Sequence, residues 1–160
     1  MKTSSVPVVE RVHPPRWLIS HLVNPFVRKM LRRKSKIGEG VLLLRFTGRR
    51  SGRSYEIPVA YRRIDGRIAL LTNSGWRHNF RQGRDVEIVL RGETMRARAS
   101  FLDDPLEVAT IYAQLINEHG LNDAPSGLGI KIHVDREPTI DELADMARGS
   151  GVSVVWIDPQ

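Results

Sequence analysis

At 160 residues the chain is long enough for one domain with a buried core and short for two. Its 41% hydrophobic and 27% charged content excludes general disorder, and the absence of cysteine excludes disulfides, thiolate metal sites and cysteine nucleophiles. A net charge of +7 asks for an anionic partner: nucleic acid, an anionic membrane surface or a phosphorylated small molecule.

Residues 1–16 carry Ser4, Ser5, Pro7, Pro14 and Pro15 without a sustained period, and are expected to form a flexible arm. Residues 17–160 are expected to be a single domain. From Trp17 to Lys34 a helical period sets in, with Trp17, Leu18, His21 and Leu22 on one face and Phe26, Val27, Met30 and Leu31 continuing it. Asn24-Pro25 breaks this amphipathic helix, and Arg28, Lys29, Arg32, Arg33, Lys34 and Lys36 gather at its end.

The middle of the chain reads as β. Val41 to Thr47 is an apolar run that ends at Gly48-Arg49-Arg50-Ser51-Gly52, and Tyr55 to Ile64 runs to the hairpin signal Asp65-Gly66. Arg67 to Thr72 is a third strand. Asp85 to Leu90 and Glu93 to Phe101 pair across Arg91-Gly92, with Met95, Ala97 and Ala99 alternating against Arg96 and Arg98. Between them Ser74 to Arg84 reads as one helical turn or a loop.

Asp103 or Asp104 caps a helix that has Pro105 in its first turn, buries Leu106, Ala109, Ala113 and Ile116, and stops at Gly120. Asn122 to Lys131 reads as a loop. Pro138-Thr139 opens a short helix to Arg148, and Val152 to Ile157 closes the chain as a strand. The fold class is α+β, mainly β: a barrel of about six strands with an N-terminal amphipathic helix and flanking helices. The segment from Asn122 to Arg148 reads either as a lid or as an insertion.

Two segments could carry chemistry. Arg45, Arg49, Arg50 and Arg53 surround Gly48, Ser51 and Gly52, where a glycine turn exposes N–H groups and guanidiniums can grip phosphate oxygens. A solvated basic hairpin tip explains the same residues equally well. Thr72 to Phe80 supplies small polar residues, an indole, an imidazole and an amide that could line a planar ligand, or a loop pinned by Trp76 and Phe80. The five histidines make no metal-ligand spacing, and no Gly-x-Ser-x-Gly elbow is present.

At this point the residues resemble a known family. Leu42 to Pro58, LLLRFTGRRSGRSYEIP, is similar to the strand, turn and strand of the deazaflavin-dependent nitroreductases. Trp76-Arg77-His78-Asn79-Phe80-Arg81 is similar to that family's Trp-x-x-Asn-Leu stretch, and Val154 to Pro159 resembles its last strand. The resemblance implies a split β-barrel binding a reduced deazaflavin, coenzyme F420, with flavin mononucleotide as the alternative. By carry-over Arg49, Arg50 and Ser51 hold the phosphate end, with Arg53 standing in for an arginine that the family often has where Tyr55 is found. Pro58 and Val59 lie along the ring, and Thr72, Asn73, Trp76 and Asn79 complete the pocket.

The resulting expectation is an oxidoreductase that passes hydride to a small electron-poor acceptor such as a quinone, nitroaromatic or activated enone. Tyr61, Tyr112 and His78 are the candidate proton donors. No nucleic acid is expected as a partner, and the chain is expected to be a monomer or homodimer. No apolar run approaches the ~20 residues of a membrane span, and Met1 to Val12 lacks a secretory stretch. A cytoplasmic protein is therefore expected, with weak peripheral membrane contact through 17–36. Three alternatives stay open: a basic nucleic-acid-binding barrel, a flavin mononucleotide or haem binder on the same fold, and a peripheral membrane scaffold.

Overall fold

The computed structural model describes residues 6–12, 40–123 and 128–160. The amphipathic stretch from Trp17 to Lys34 lies outside the described residues. In chain order the elements are β1 (Val9–Arg11), β2 (Val41–Thr47), β3 (Ser54–Ala60), β4 (Arg62–Ile64), β5 (Arg67–Thr72), a 3-10 helix (Gly75–Phe80), β6 (Arg84–Leu90) and β7 (Glu93–Leu102). Then follow α1 (Pro105–His119), β8 (Ile130–Ile132), α2 (Ile140–Ser150) and β9 (Ser153–Pro159). The described chain divides into two compact units, one from 40–102 with Val154–Gln160 and the other from 6–12 with 103–123 and 128–153.

The first unit is a seven-stranded sheet in the order β3-β2-β6-β7-β9-β5-β4. Its two outermost strands are consecutive in the chain and separated by Tyr61 alone. A sheet whose ends are one residue apart must curl, and this one forms a split β-barrel. The run from Tyr55 to Ile64, read as one strand, is thus two: its first half pairs with β2 and its second with β5. Tyr61 is buried at the joint, and its N–H donates to the Gly40 carbonyl at 2.9 Å. Seven strands replace the expected six for this reason.

Period-two alternation sets the barrel core. Leu42, Leu44 and Phe46 of β2 pack with Val86, Ile88 and Leu90 of β6, Ala97 and Ala99 of β7, and Val155 and Ile157 of β9. The two hairpin turns read from sequence are type I′ in backbone form. Asp65 and Gly66 have φ of 50° and 80°, and Arg91 and Gly92 have 51° and 78°.

In the second unit α1 packs on α2. Asp104 caps α1 by accepting from the N–H groups of Leu106 and Glu107, both at 3.0 Å, with Pro105 at the first turn and Gly120 at the end. Thr139 and Glu142 form a reciprocal capping box on α2. Two expectations need correction here. The arm contains a strand, β1, and the loop from Asn122 runs into β8; the two pair antiparallel with Val9 opposite Ile132. Three-residue strands are too short to carry a period, so neither was visible as sequence pattern.

Candidate functional site: an aromatic cleft with an arginine rim

The barrel unit holds a cleft of about 730 Å³ between the β2–β3 turn and the 3-10 helix. Phe46, Tyr55, Ile57 and Trp76 form its apolar wall, while Arg49, Arg50, Ser51, His78, Asn79 and Arg81 supply its polar groups. This volume falls within the ordinary range for small-molecule sites.

The wall follows from register. Phe46 stands opposite Tyr55 and Leu44 opposite Ile57, so one pleat face of β2 and β3 turns towards the barrel interior. Phe46 and Tyr55 stack at 5.3 Å, and Phe46 meets Phe80 edge-on at 5.3 Å. Trp76 lies 6.4 Å from Phe46 and 6.1 Å from Phe80, which is fully buried and anchors the 3-10 helix.

The turn is closed by its own backbone. Gly48 N–H donates to the Arg53 carbonyl at 2.8 Å, and Gly52 N–H to the Gly48 carbonyl at 3.0 Å. Arg53 N–H donates to Ser51 Oγ at 3.2 Å, and Ser51 Oγ also meets the Tyr55 hydroxyl at 3.3 Å. A side chain at position 48 would force its neighbours to shift. A Cβ there would stand 2.6 Å from Ser51 Oγ and 2.8 Å from the Tyr55 ring.

Arg49 N–H donates to Asn79 Oδ1 at 2.8 Å, and Asn79 Nδ2 donates to the Trp76 carbonyl at 2.8 Å. The backbone N–H groups of Gly48, Arg49, Gly52 and Arg53 are therefore all committed within the fold. The N–H groups of Arg50 and Ser51, at the tip of the turn, have no such bond among the described residues. Arg49 and Arg50 are exposed, and among the described residues neither pairs with a carboxylate.

Arg45 does not belong with them. It points to the opposite face of β2 and lies between Glu87 Oε1 at 2.6 Å and Glu56 Oε2 at 2.7 Å. Hydrogen bonds to Glu87 first and Glu56 second raise its pKa, as expected for a cation held between two anions. The cleft it borders, about 590 Å³, also holds Asp85 and Arg96; Asp85 pairs with Arg98 at 3.0 Å. Arg45, Glu56, Glu87 and Asp85 are thus engaged in ion pairs on that face.

Of the residues selected from sequence, Arg49, Arg50, Ser51, Trp76 and Asn79 line the same cleft. Arg53 contributes its backbone to the turn and stands outside the lining. Val59 packs against the barrel core, and Pro58, one residue away, faces the other side of β3. Thr72 is buried and accepts from the Ser74 N–H at 3.0 Å, which turns the chain into the 3-10 helix; the Asn73 carbonyl accepts from the Arg77 guanidinium.

Among the candidate donors, Tyr61 is in the barrel core and Tyr112 is in the other unit. Tyr112 accepts from Arg11 at 3.0 Å, and burial raises its pKa. His78 alone of the three lines the cleft, with Nδ1 at 3.1 Å from the Arg81 guanidinium. Sequence reading missed Phe46, Tyr55, Ile57 and Arg81. Counting alternate residues back from Val59 along β3 would have found two of them.

The barrel unit is thus a split barrel that sets an arginine turn against an aromatic wall. Residues 22–132 match the family model for F420H(2)-dependent quinone reductase, and the chain belongs to that family. No curated protein matches the sequence. Among solved structures, one described as a domain-swapped dimer is 14% identical, with a TM-score of 0.44, covering 91% of this chain and 100% of that one. A putative 5-nitroimidazole antibiotic resistance protein from Bacteroides thetaiotaomicron is 9% identical, with a TM-score of 0.37 and coverage of 95% and 83%.

Proposed function

We propose that the protein binds reduced coenzyme F420 in the aromatic cleft and uses it to reduce a quinone or a similarly electron-poor acceptor. The observation that carries this reading is the pair Arg49 and Arg50, exposed and without acidic partners among the described residues, on the rim of an aromatic wall. A phosphate with an acidic tail needs cations that no carboxylate already holds, and a deazaflavin ring needs a flat apolar face. The residues present fit both demands. The family is defined by F420H2 dependence, which gives the flavin mononucleotide alternative no support.

When bound, the reduced deazaflavin supplies a hydride from its C5 carbon. The chain does the rest. Arg49 and Arg50 grip phosphate and tail oxygens, with Ser51 beside them. Trp76, Phe46 and Ile57 cover the ring and exclude water. Reduction of a quinone to its hydroquinone consumes one hydride and one proton. Arg81 can only donate, so it fixes His78 Nδ1 as the acceptor and leaves the proton on Nε2. His78 can thus donate a hydrogen bond to a quinone oxygen, while the proton itself comes from solvent. Nitroaromatics and activated enones ask for the same hydride-plus-proton delivery and belong to the same proposed acceptor range.

The test is a fluorescence titration with reduced and oxidised coenzyme F420, with flavin mononucleotide as the control. Saturable binding of the deazaflavin alone is expected, followed by turnover with a quinone. Equal affinity for flavin mononucleotide, or none for either, would overturn the reading.

A further inference from the structure

The geometry points to Asn79 as a positioning residue that sets coenzyme affinity by clamping the arginine turn to the 3-10 helix, without itself touching the ligand. The inference rests on the functional reading above and deepens it.

Asn79 lies thirty residues downstream of Arg49, yet its side chain joins the two segments. Oδ1 accepts the Arg49 N–H and Nδ2 donates to the Trp76 carbonyl, each at 2.8 Å. A side-chain amide has two N–H hydrogens and an oxygen with two lone pairs, and here one of each is directed at backbone. A side chain so engaged is oriented by the fold, and its two bonds hold the halves of the site together. The clamp acts where the two halves of the site meet. One end fixes the backbone that carries the Arg49 guanidinium, and the other fixes the residue whose indole walls the cleft.

Flexible arginines on a loose turn lose conformational entropy when they close on an anion; a turn already pinned has less to lose. Without the amide, the Arg49 N–H loses its acceptor, and the Gly48–Arg53 bonds alone hold the turn. The spacing between anion grip and ring wall then fluctuates, and affinity falls without any direct contact being removed.

Two measurements test this. In coenzyme-free protein, hydrogen exchange at the Arg49 amide should be fast in Asn79→Ala and remain slow in wild type and in Asn79→Asp. The aspartate keeps the acceptor at nearly the same volume, so it also serves if the alanine variant folds poorly. The second measurement is a double-mutant cycle on the dissociation constant for coenzyme F420. Asn79→Ala should weaken binding about tenfold in wild type and less than about twofold in an Arg49→Ala background, because coupled residues are non-additive.

A residue that touched the coenzyme, or one that merely stabilised the fold, would give the same loss in both backgrounds. Additive losses with normal wild-type binding overturn the inference alone, as does an Arg49 amide whose exchange ignores the amide side chain. A wild-type chain that binds no coenzyme overturns the functional reading and the clamp's role together.

Discussion

Arg45 and Arg50 lie five residues apart on one hairpin and meet opposite fates. Arg45 is flanked by two carboxylates; Arg50 reaches the rim of the cleft with none among the described residues. Arg50→Ala should therefore weaken coenzyme binding about tenfold or more, the loss of one charge-assisted grip, and leave the urea midpoint nearly unchanged. Arg45→Met should do the reverse. It removes the cation that Glu56 and Glu87 share at a partly solvated site, so a stability loss of about 1 kcal/mol with unaltered coenzyme affinity is expected. Paired urea melts and titrations of the two variants separate these roles, and equal effects on binding would refute the assignment. Gly48→Ala combines both losses. Its Cβ displaces Ser51 and the Tyr55 ring, so lower stability by about 1–3 kcal/mol together with weaker coenzyme binding is expected in the same assays.

At the scale of elements, α2 carries a pH dependence of its own. The Glu142 carboxyl is held down to about 2 from 4.5, first by the Arg136 guanidinium and then by the Thr139 N–H it caps. A depressed carboxylate pKa stabilises the folded form fully above the unfolded value near 4.5, and that contribution is lost as pH falls through about 2. Fraying of the first turn of α2 is expected in that window, read as faster amide exchange near Glu142, and Glu142→Gln should remove the dependence. The described helices and hairpins were legible in sequence because their signals are local: Asp104 and Pro105, Pro138-Thr139, Asp65-Gly66, Arg91-Gly92. What was not legible depends on closure or on partners. Nothing within Tyr55–Ile64 announces the joint at Tyr61, since the bend arises from pairing β2 on one side and β5 on the other. Likewise the arginine run says nothing of which guanidinium finds Glu56 and Glu87. Half the selected site residues line the cleft, while Thr72, Asn73, Pro58 and Val59 support or flank it.

For the molecule as a whole, the net charge of +7 is less informative than its local arrangement. Among the described residues many arginines are already neutralised, Arg67 by Asp158, Arg98 by Asp85, Arg136 by Glu142 and Arg148 by Asp145. The rim of the cleft keeps an excess of positive charge. Coenzyme affinity should fall steadily with added salt up to about 1 M, where the screening length shrinks to about 3 Å, and a flat response would count against a guanidinium grip. None of the described helices is long and apolar enough to cross a membrane.

The position of β9 has a consequence for biosynthesis. It lies between β7 and β5, strands made at least fifty residues earlier, and pairs Ala99 with Ile157 and Phe101 with Val155. Until residues 153–159 leave the ribosome, the nascent barrel is two half-sheets with β5 and β7 both open along their edges. Open strand edges recruit other chains, and long-range pairings form slowly. Until β9 is made the chain is in its most adhesive state, and a variant lacking residues 153–159 should aggregate instead of forming a trimmed barrel.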